Sequence, residues 1–263
     1  MRSQIRHPMR NVRSAVSAVA AGIAVSVITL AGAPRSLAQG TTADADIRAA
    51  VIKQISGLDY GGRRPTVTVS GGAIMLSGTV SSLWLKEETI NRALKVPGRT
   101  SVESELTIAK AESDQKLAAE VIKRISSFDR LSPVYDDITG SVKNGVVHIG
   151  GAMTDEKNLR DLVERVAKVK GVQAIDNKIT LLPANRSDDQ LRVAIANAIY
   201  RNPEFEQYSM VNPPIKVIVN NGYVTLTGIV RSDIEKIKAH ESAASVFGII
   251  KLDDRVRLAK DVR

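Results

Sequence analysis

The stretch Asn144-Gly145-Val146-Val147-His148-Ile149-Gly150-Gly151 decides the fold. Asn-Gly supplies the positive φ angles that a two-residue hairpin turn requires. The residues after it place Val147 and Ile149 on one face, as in a half-buried strand. That strand stops at Gly151, where the backbone must bend or lie close to a neighbour. A helical stretch follows and ends at Val169-Lys170-Gly171-Val172, where glycine suits the left-handed conformation after a helix.

Outward from this segment the pattern recurs twice. The hairpin turns are Ser70-Gly71-Gly72, Lys143-Asn144-Gly145 and Asn220-Asn221-Gly222. The turn glycines Gly72, Gly145 and Gly222 are each followed six residues later by Gly78, Gly151 and Gly228. Twenty residues further on lie Gly98, Gly171 and Gly248. Two fixed intervals in triplicate mark an internal repeat.

The apolar positions repeat in step. Ile74/Leu76, Val147/Ile149 and Val224/Leu226 are expected on the inward face of the second strand. The following helix repeats Ala93/Val96, Val166/Val169 and Ala243/Val246, and the last strand repeats Val102/Leu106, Ile175/Ile179 and Leu252/Val256. An amphipathic helix precedes each hairpin, with Ile47/Ile52/Ile55, Leu117/Ile122/Ile125 and Leu191/Ile195/Ala198 expected inward. The fold class is therefore α+β: three tandem α-β-β-α-β units, each with two helices on one face of a three-stranded mixed sheet. The units are expected at 43–110, 112–183 and 188–260. The loop before each hairpin varies in length, and the longest, with Asn202-Pro203-Glu204 and Asn212-Pro213-Pro214, is expected to be extended.

Composition narrows the function. Aromatics are only 3 % of the 263 residues, so the cores are built from Val, Ile, Leu and Ala rather than around an aromatic-lined catalytic pocket. There is no cysteine, which removes disulfides, thiol catalysis and Cys-ligated zinc together. Arg2, Arg6, Arg10 and Arg13 lead into an apolar run from Ala15 to Ala33, and Ser36-Leu37-Ala38 has a small-x-small cleavage pattern. Residues 1–38 read as a signal peptide cleaved after Ala38, which implies export to the periplasm. Its loss lowers the net charge from +9 to +4, spread over units whose basic and acidic residues alternate. No basic stripe with stacking aromatics points to nucleic acid.

The hairpin and helix-end motifs resemble those of the BON domain, named for bacterial osmotically inducible and nodulation proteins. Asn144-Gly145-Val146 through Gly151 with Val169-Lys170-Gly171-Val172 match its pattern best. Asn221-Gly222-Tyr223 through Gly228 with Val246-Phe247-Gly248-Ile249 follow, and the first unit departs with Gly71-Gly72 and Val96-Pro97-Gly98-Arg99. The resemblance covers residues 43–260. It implies an exported envelope protein associated with phospholipid surfaces and envelope integrity under osmotic stress. It carries no catalytic residues.

Site chemistry is sparse. His148 is expected on the solvated strand face and His240 at a core position of the last helix, neither within a metal-ligand cluster. Asp188-Asp189 falls where a helix N-cap is expected. No enzyme, cofactor, metal or small-molecule substrate is implied. The most unusual segment is Leu83-Trp84-Leu85-Lys86, with the sole Trp. Three adjacent large apolar residues cannot all face one core. With Arg92 nearby, the segment reads either as an interfacial lipid anchor or as packing between units. A second candidate is the open sheet face, with Ala73/Met75, Val146/His148 and Tyr223/Thr225. The function expected first is phospholipid-surface attachment through three linked modules. The alternative is a periplasmic protein-interaction scaffold or holdase-like factor; ion or osmolyte sensing in the long loops is a third reading.

Overall fold

The alternation of turn glycines and apolar pairs becomes three α-β-β-α-β modules in a computed structural model, which describes residues 37–209 and 211–262. Module one comprises α1 (Leu37–Ile55), β1 (Thr66–Ser70), β2 (Ala73–Val80), α2 (Leu83–Ala93) and β3 (Ser101–Ile108). Module two comprises α3 (Asp114–Ser126), β4 (Asp137–Lys143), β5 (Val146–Met153), α4 (Glu156–Ala167) and β6 (Ala174–Leu181). Module three comprises α5 (Arg186–Tyr200), β7 (Ile215–Asn220), β8 (Tyr223–Val230), α6 (Asp233–Ala244), β9 (Lys251–Asp254) and β10 (Arg257–Leu258). The expected signal peptide lies outside the described residues, apart from Leu37 and Ala38 at the start of α1. Residues 38–263 form one compact unit. No helix among the described residues is long and apolar enough to cross a membrane.

In each module the second strand is central. It pairs antiparallel with the first and parallel with the last, so every sheet is mixed. The parallel registers agree: Ala73 faces Ser101, Val146 faces Ala174 and Tyr223 faces Lys251. In module three the last strand is interrupted. The Asp254 side chain accepts the Val256 N–H at 2.9 Å, and pairing with β8 resumes at Arg257 in the same register.

The strand pairs Ile74/Leu76, Val147/Ile149 and Val224/Leu226 are all buried in their cores. The first helices correct the sequence reading by one position. Ile52 and Ile122 are exposed and Ala198 is half-buried, whereas Val51, Val121 and Ile199 are fully buried. Adjacent apolar residues offer two faces to the same pattern, and the side chain that meets the sheet wins. His240 is likewise exposed: Ala239 and Ala243, four apart, occupy the core-facing stripe of α6.

The long loop of module three is not extended. Asn202 caps a 3-10 turn, Pro203–Phe205, that drives Phe205 into the core edge-on to Tyr200 at 6.0 Å. The Tyr200 hydroxyl donates to the Ile215 carbonyl, and burial pushes its pKa up. Tyr208 donates to the buried Glu235 carboxylate at 3.0 Å, which also accepts the Arg231 N–H at 2.8 Å.

A carboxylate joins the first helix to the hairpin in every module. Asp44 accepts the Gly71 and Gly72 N–H groups, both at 2.8 Å. Asp114 accepts those of Asn144 and Gly145 at 2.5 and 2.9 Å, and Asp188 those of Asn221 and Gly222 at 2.6 and 2.9 Å. The cap expected at Asp188-Asp189 is instead Asn185, whose side chain accepts from Ser187 and Asp188. Asp188, one turn inside α5, is thereby left to reach the hairpin.

Asp114→Asn and Asp188→Asn each put an amide donor against one of these N–H groups. Each is expected to cost about 1–3 kcal/mol, read as a lower urea midpoint by circular dichroism. The exposed Asp261→Asn should leave the midpoint in place, and equal effects of all three would refute the clamp.

Candidate binding surface

Short linkers force neighbouring modules into contact, and the two junctions are built differently. At the first, the turn after α4 receives the end of module one. The Gly171 N–H donates to the Ser81 carbonyl at 2.9 Å, and the Gln173 side-chain amide reaches the carbonyls of Ile108 and Ala109 at 3.3 and 3.2 Å. A Cβ on Gly171 would lie 2.7 Å from that of Ala111, so only glycine permits this approach.

The sequence-predicted residues lie at this junction or behind it. Leu83, half-buried, packs against the core of module two. Trp84, also half-buried, packs on the core of module one and carries the Lys168 ammonium 4.7 Å over its ring. Leu85 is inside the core of module one, and Lys86 is half-exposed. Arg92 pairs with Glu88 at 2.7 Å and donates to the Gln54 carbonyl at 3.1 Å. Leu83 and Trp84 thus come together between modules, while Leu85 and Arg92 face inward and along the helix.

At the second junction the loop between α3 and β4 reaches over. Val134 is buried in the core of module three and accepts the Val217 N–H at 2.7 Å, covering the outer edge of β7. Lys216 pairs with Asp137 at 3.1 Å. The loop is held by buried Asp136, which accepts the N–H groups of Ser132 and Thr154 at 2.7 and 2.9 Å.

This second arrangement leaves the turn after α6 uncovered. Phe247 is 100 % exposed and Ile250 67 %, and among the described residues nothing beyond its own chain neighbours lies within 4 Å of a Cβ placed on Gly248. An open groove of about 560 Å³ separates Phe247, Gly248 and Ile250 from Asn185, Asp188 and Leu191 at the start of α5. Tyr223, exposed, pairs in register with Lys251 at the same tip. The sequence reading missed this corner. Its signal lay in the aligned positions: Phe247 stands where the other modules have Pro97 and Lys170, and Ile250 where they have Thr100 and Gln173.

The open sheet faces are polar by comparison. His148 contacts Asp176 at 3.0 Å, and its hydrogen bond, followed by that of Lys178, holds the Asp176 carboxyl below the usual range. Among the described residues no group of three or more His, Cys, Asp or Glu side chains could hold a metal ion.

These features define a tandem array of small α+β modules. The chain belongs to the BON-domain family, whose sequence profile matches residues 43–110, 113–183 and 187–260. No curated protein matches it. Among solved structures it is similar to CdsD, a structural protein of the type III secretion system of Chlamydia trachomatis. That similarity has 16 % identity and a TM-score of 0.23 and covers 81 % of this chain and 92 % of that one. It is also similar to the periplasmic domain of PrgH, a type III secretion inner-membrane protein of S. typhimurium, at 14 % identity and a TM-score of 0.18. That match covers 78 % of this chain and 98 % of the other. Neither likeness bears on how this chain is arranged or what it binds.

Leu83→Ser should weaken the first junction by about 1–2 kcal/mol, roughly a five- to thirty-fold increase in opening. Trypsin should then cut faster after Lys110 and Trp84 emission should shift to the red. Unchanged cleavage would place the junction's stability elsewhere.

Proposed function

We propose that the chain is a non-catalytic scaffold of the bacterial envelope that holds protein partners through the bare corner of module three. One observation carries this reading. The equivalent corner of module two already holds a protein segment, through Gly171 and Gln173, whereas that of module three is empty and apolar. Large exposed apolar side chains gathered around a groove are the usual mark of an interaction site. The signal-peptide reading of residues 1–38 puts the scaffold in the periplasm, where the family resemblance fits a part in maintaining the envelope under osmotic stress.

A second reading, attachment to a phospholipid surface, has its own support. Tyr223, Phe247 and Ile250 beside Lys251 combine aromatic, aliphatic and basic side chains as interfacial anchors do. The Leu83–Lys86 segment supports it less, because its apolar residues are engaged within the chain.

A photo-crosslinking residue placed at position 247 in cells is expected to give discrete protein adducts, while the same residue at exposed position 211 gives none. Absence of adducts at 247, with binding of anionic vesicles that Phe247→Ser abolishes, would decide for lipid.

A further inference from the structure

The first junction is a contact between two surfaces, and module three carries both of them uncovered. The receiving surface is the turn after the second helix: Lys168, Gly171 and Gln173 in module two, and Ser245, Gly248 and Ile250 in module three, with Phe247 beside them. The docking surface is the edge formed by the end of the second strand and the start of the helix after it. In module one this is Ser81, Leu83 and Trp84, together with the carbonyls of Ile108 and Ala109. In module three the same positions are Arg231, Asp233 and Ile234, with Leu258 and Ala259. Ile234, in the place of Trp84, is 58 % exposed, and Ile237, one turn further along α6, is 53 % exposed. Ile229 on the neighbouring strand end is also exposed.

The other modules lack one half or the other. The corresponding helix of module two presents Glu156, Lys157 and Arg160, with Glu156 paired to Arg160 and Lys157 to Asp161, an ordinary solvated face. The corner of module one bears Pro97, Arg99 and Thr100. Only module three, among the described residues, combines an apolar corner with an edge that exposes large apolar side chains, Ile229, Ile234 and Ile237, beside the Asp233–Lys260 ion pair.

We propose that module three of one chain docks head to tail onto module three of a second copy, repeating the contact that joins modules one and two. Gly248 takes the part of Gly171, its N–H meeting the Arg231 carbonyl of the next copy. Phe247 and Ile250 pack against Ile234 and Ile237. Ser245 in place of Lys168 removes a charge that would otherwise face Ile234. Because the two surfaces differ, the contact is heterologous: each added copy leaves one corner and one edge free, so assembly continues into a ring or a filament rather than stopping at a dimer. This rests on the scaffold reading above and makes the chain itself the first partner of its corner.

Sedimentation velocity on residues 39–263, over a wide concentration range, tests the proposal. The expected result is a mass that rises with concentration beyond the dimer. Phe247→Glu removes the corner and Ile237→Glu the edge, and each variant alone should be monomeric. Mixed in equal amounts they should give a heterodimer and nothing larger, since one chain keeps its edge and the other its corner. Both variants change exposed residues, so matching circular dichroism is expected and keeps misfolding apart from lost contact. A wild-type chain that stays monomeric throughout, or a mixture that stays monomeric, would overturn self-docking. Discrete adducts from position 247 to a different protein would, in that event, leave the scaffold reading standing. Vesicle binding lost with Phe247→Glu in a monomeric chain would overturn both.

Discussion

The contact on which each module depends is a carboxylate held against the two N–H groups of a hairpin turn. A two-residue turn with positive φ at both positions points its amides outward, where strand pairing cannot use them. Asp44, Asp114 and Asp188 accept both amides in their modules. A charged acceptor makes each of these bonds stronger than a neutral pair. The bidentate contact also fixes where the first helix starts relative to the sheet. With that end set, Val51, Val121 and Ile195, each seven residues after the carboxylate, are buried in the cores of their modules. Asn144 and Asn221 adopt φ angles of 54° and 52° to complete the turn, and Gly71 takes that place in module one.

This contact also shows where a sequence reading reaches its limit. Turn glycines and alternating strand pairs act locally, over a few residues, so their spacing exposed the repeat and the α+β modules directly. Asp188 meets its partners more than thirty residues away, and nothing local separates it from an N-cap. The one-residue slip in the first helices has the same origin. Val51-Ile52 and Val121-Ile122 each put two large apolar residues side by side, and Ala198-Ile199 a small one beside a large one. Periodicity alone cannot choose within such a pair. His240 falls outside the core because α6 buries the same stripe as α2 and α4, through Ala239 and Ala243, and His240 stands one residue off it; Ile90 and Val163, aligned with His240, are themselves only half-buried.

The candidate surface was harder to read because it depends on how modules meet. Leu83 and Trp84 stand out in the sequence as an excess of apolar bulk, and the excess is absorbed by a neighbour: Leu83 by the core of module two, Trp84 beneath Lys168. Phe247 and Ile250 show no such local excess. They are single large residues after a helix, and a core position would look the same. What exposes them is the route of the linker. Between modules one and two the chain crosses over Gly171 with Ala111; between modules two and three it does not cross Gly248.

The second junction explains that difference in route. Modules two and three are fastened by Val134, whose carbonyl pairs with Val217 and whose side chain enters the core of module three. A loop that contributes a strand-like pairing and a buried side chain occupies the outer edge of β7, a surface that would otherwise invite pairing with another chain. The loop is held by the buried Asp136 carboxylate, which accepts from Ser132 and Thr154 within module two. Module three is therefore held by its sheet edge rather than by its corner. The corner has no Gln173-type amide to grip a preceding module and carries Ile250 in that position. A corner that is not used to hold the chain together, and that carries exposed apolar side chains, is free to receive a partner.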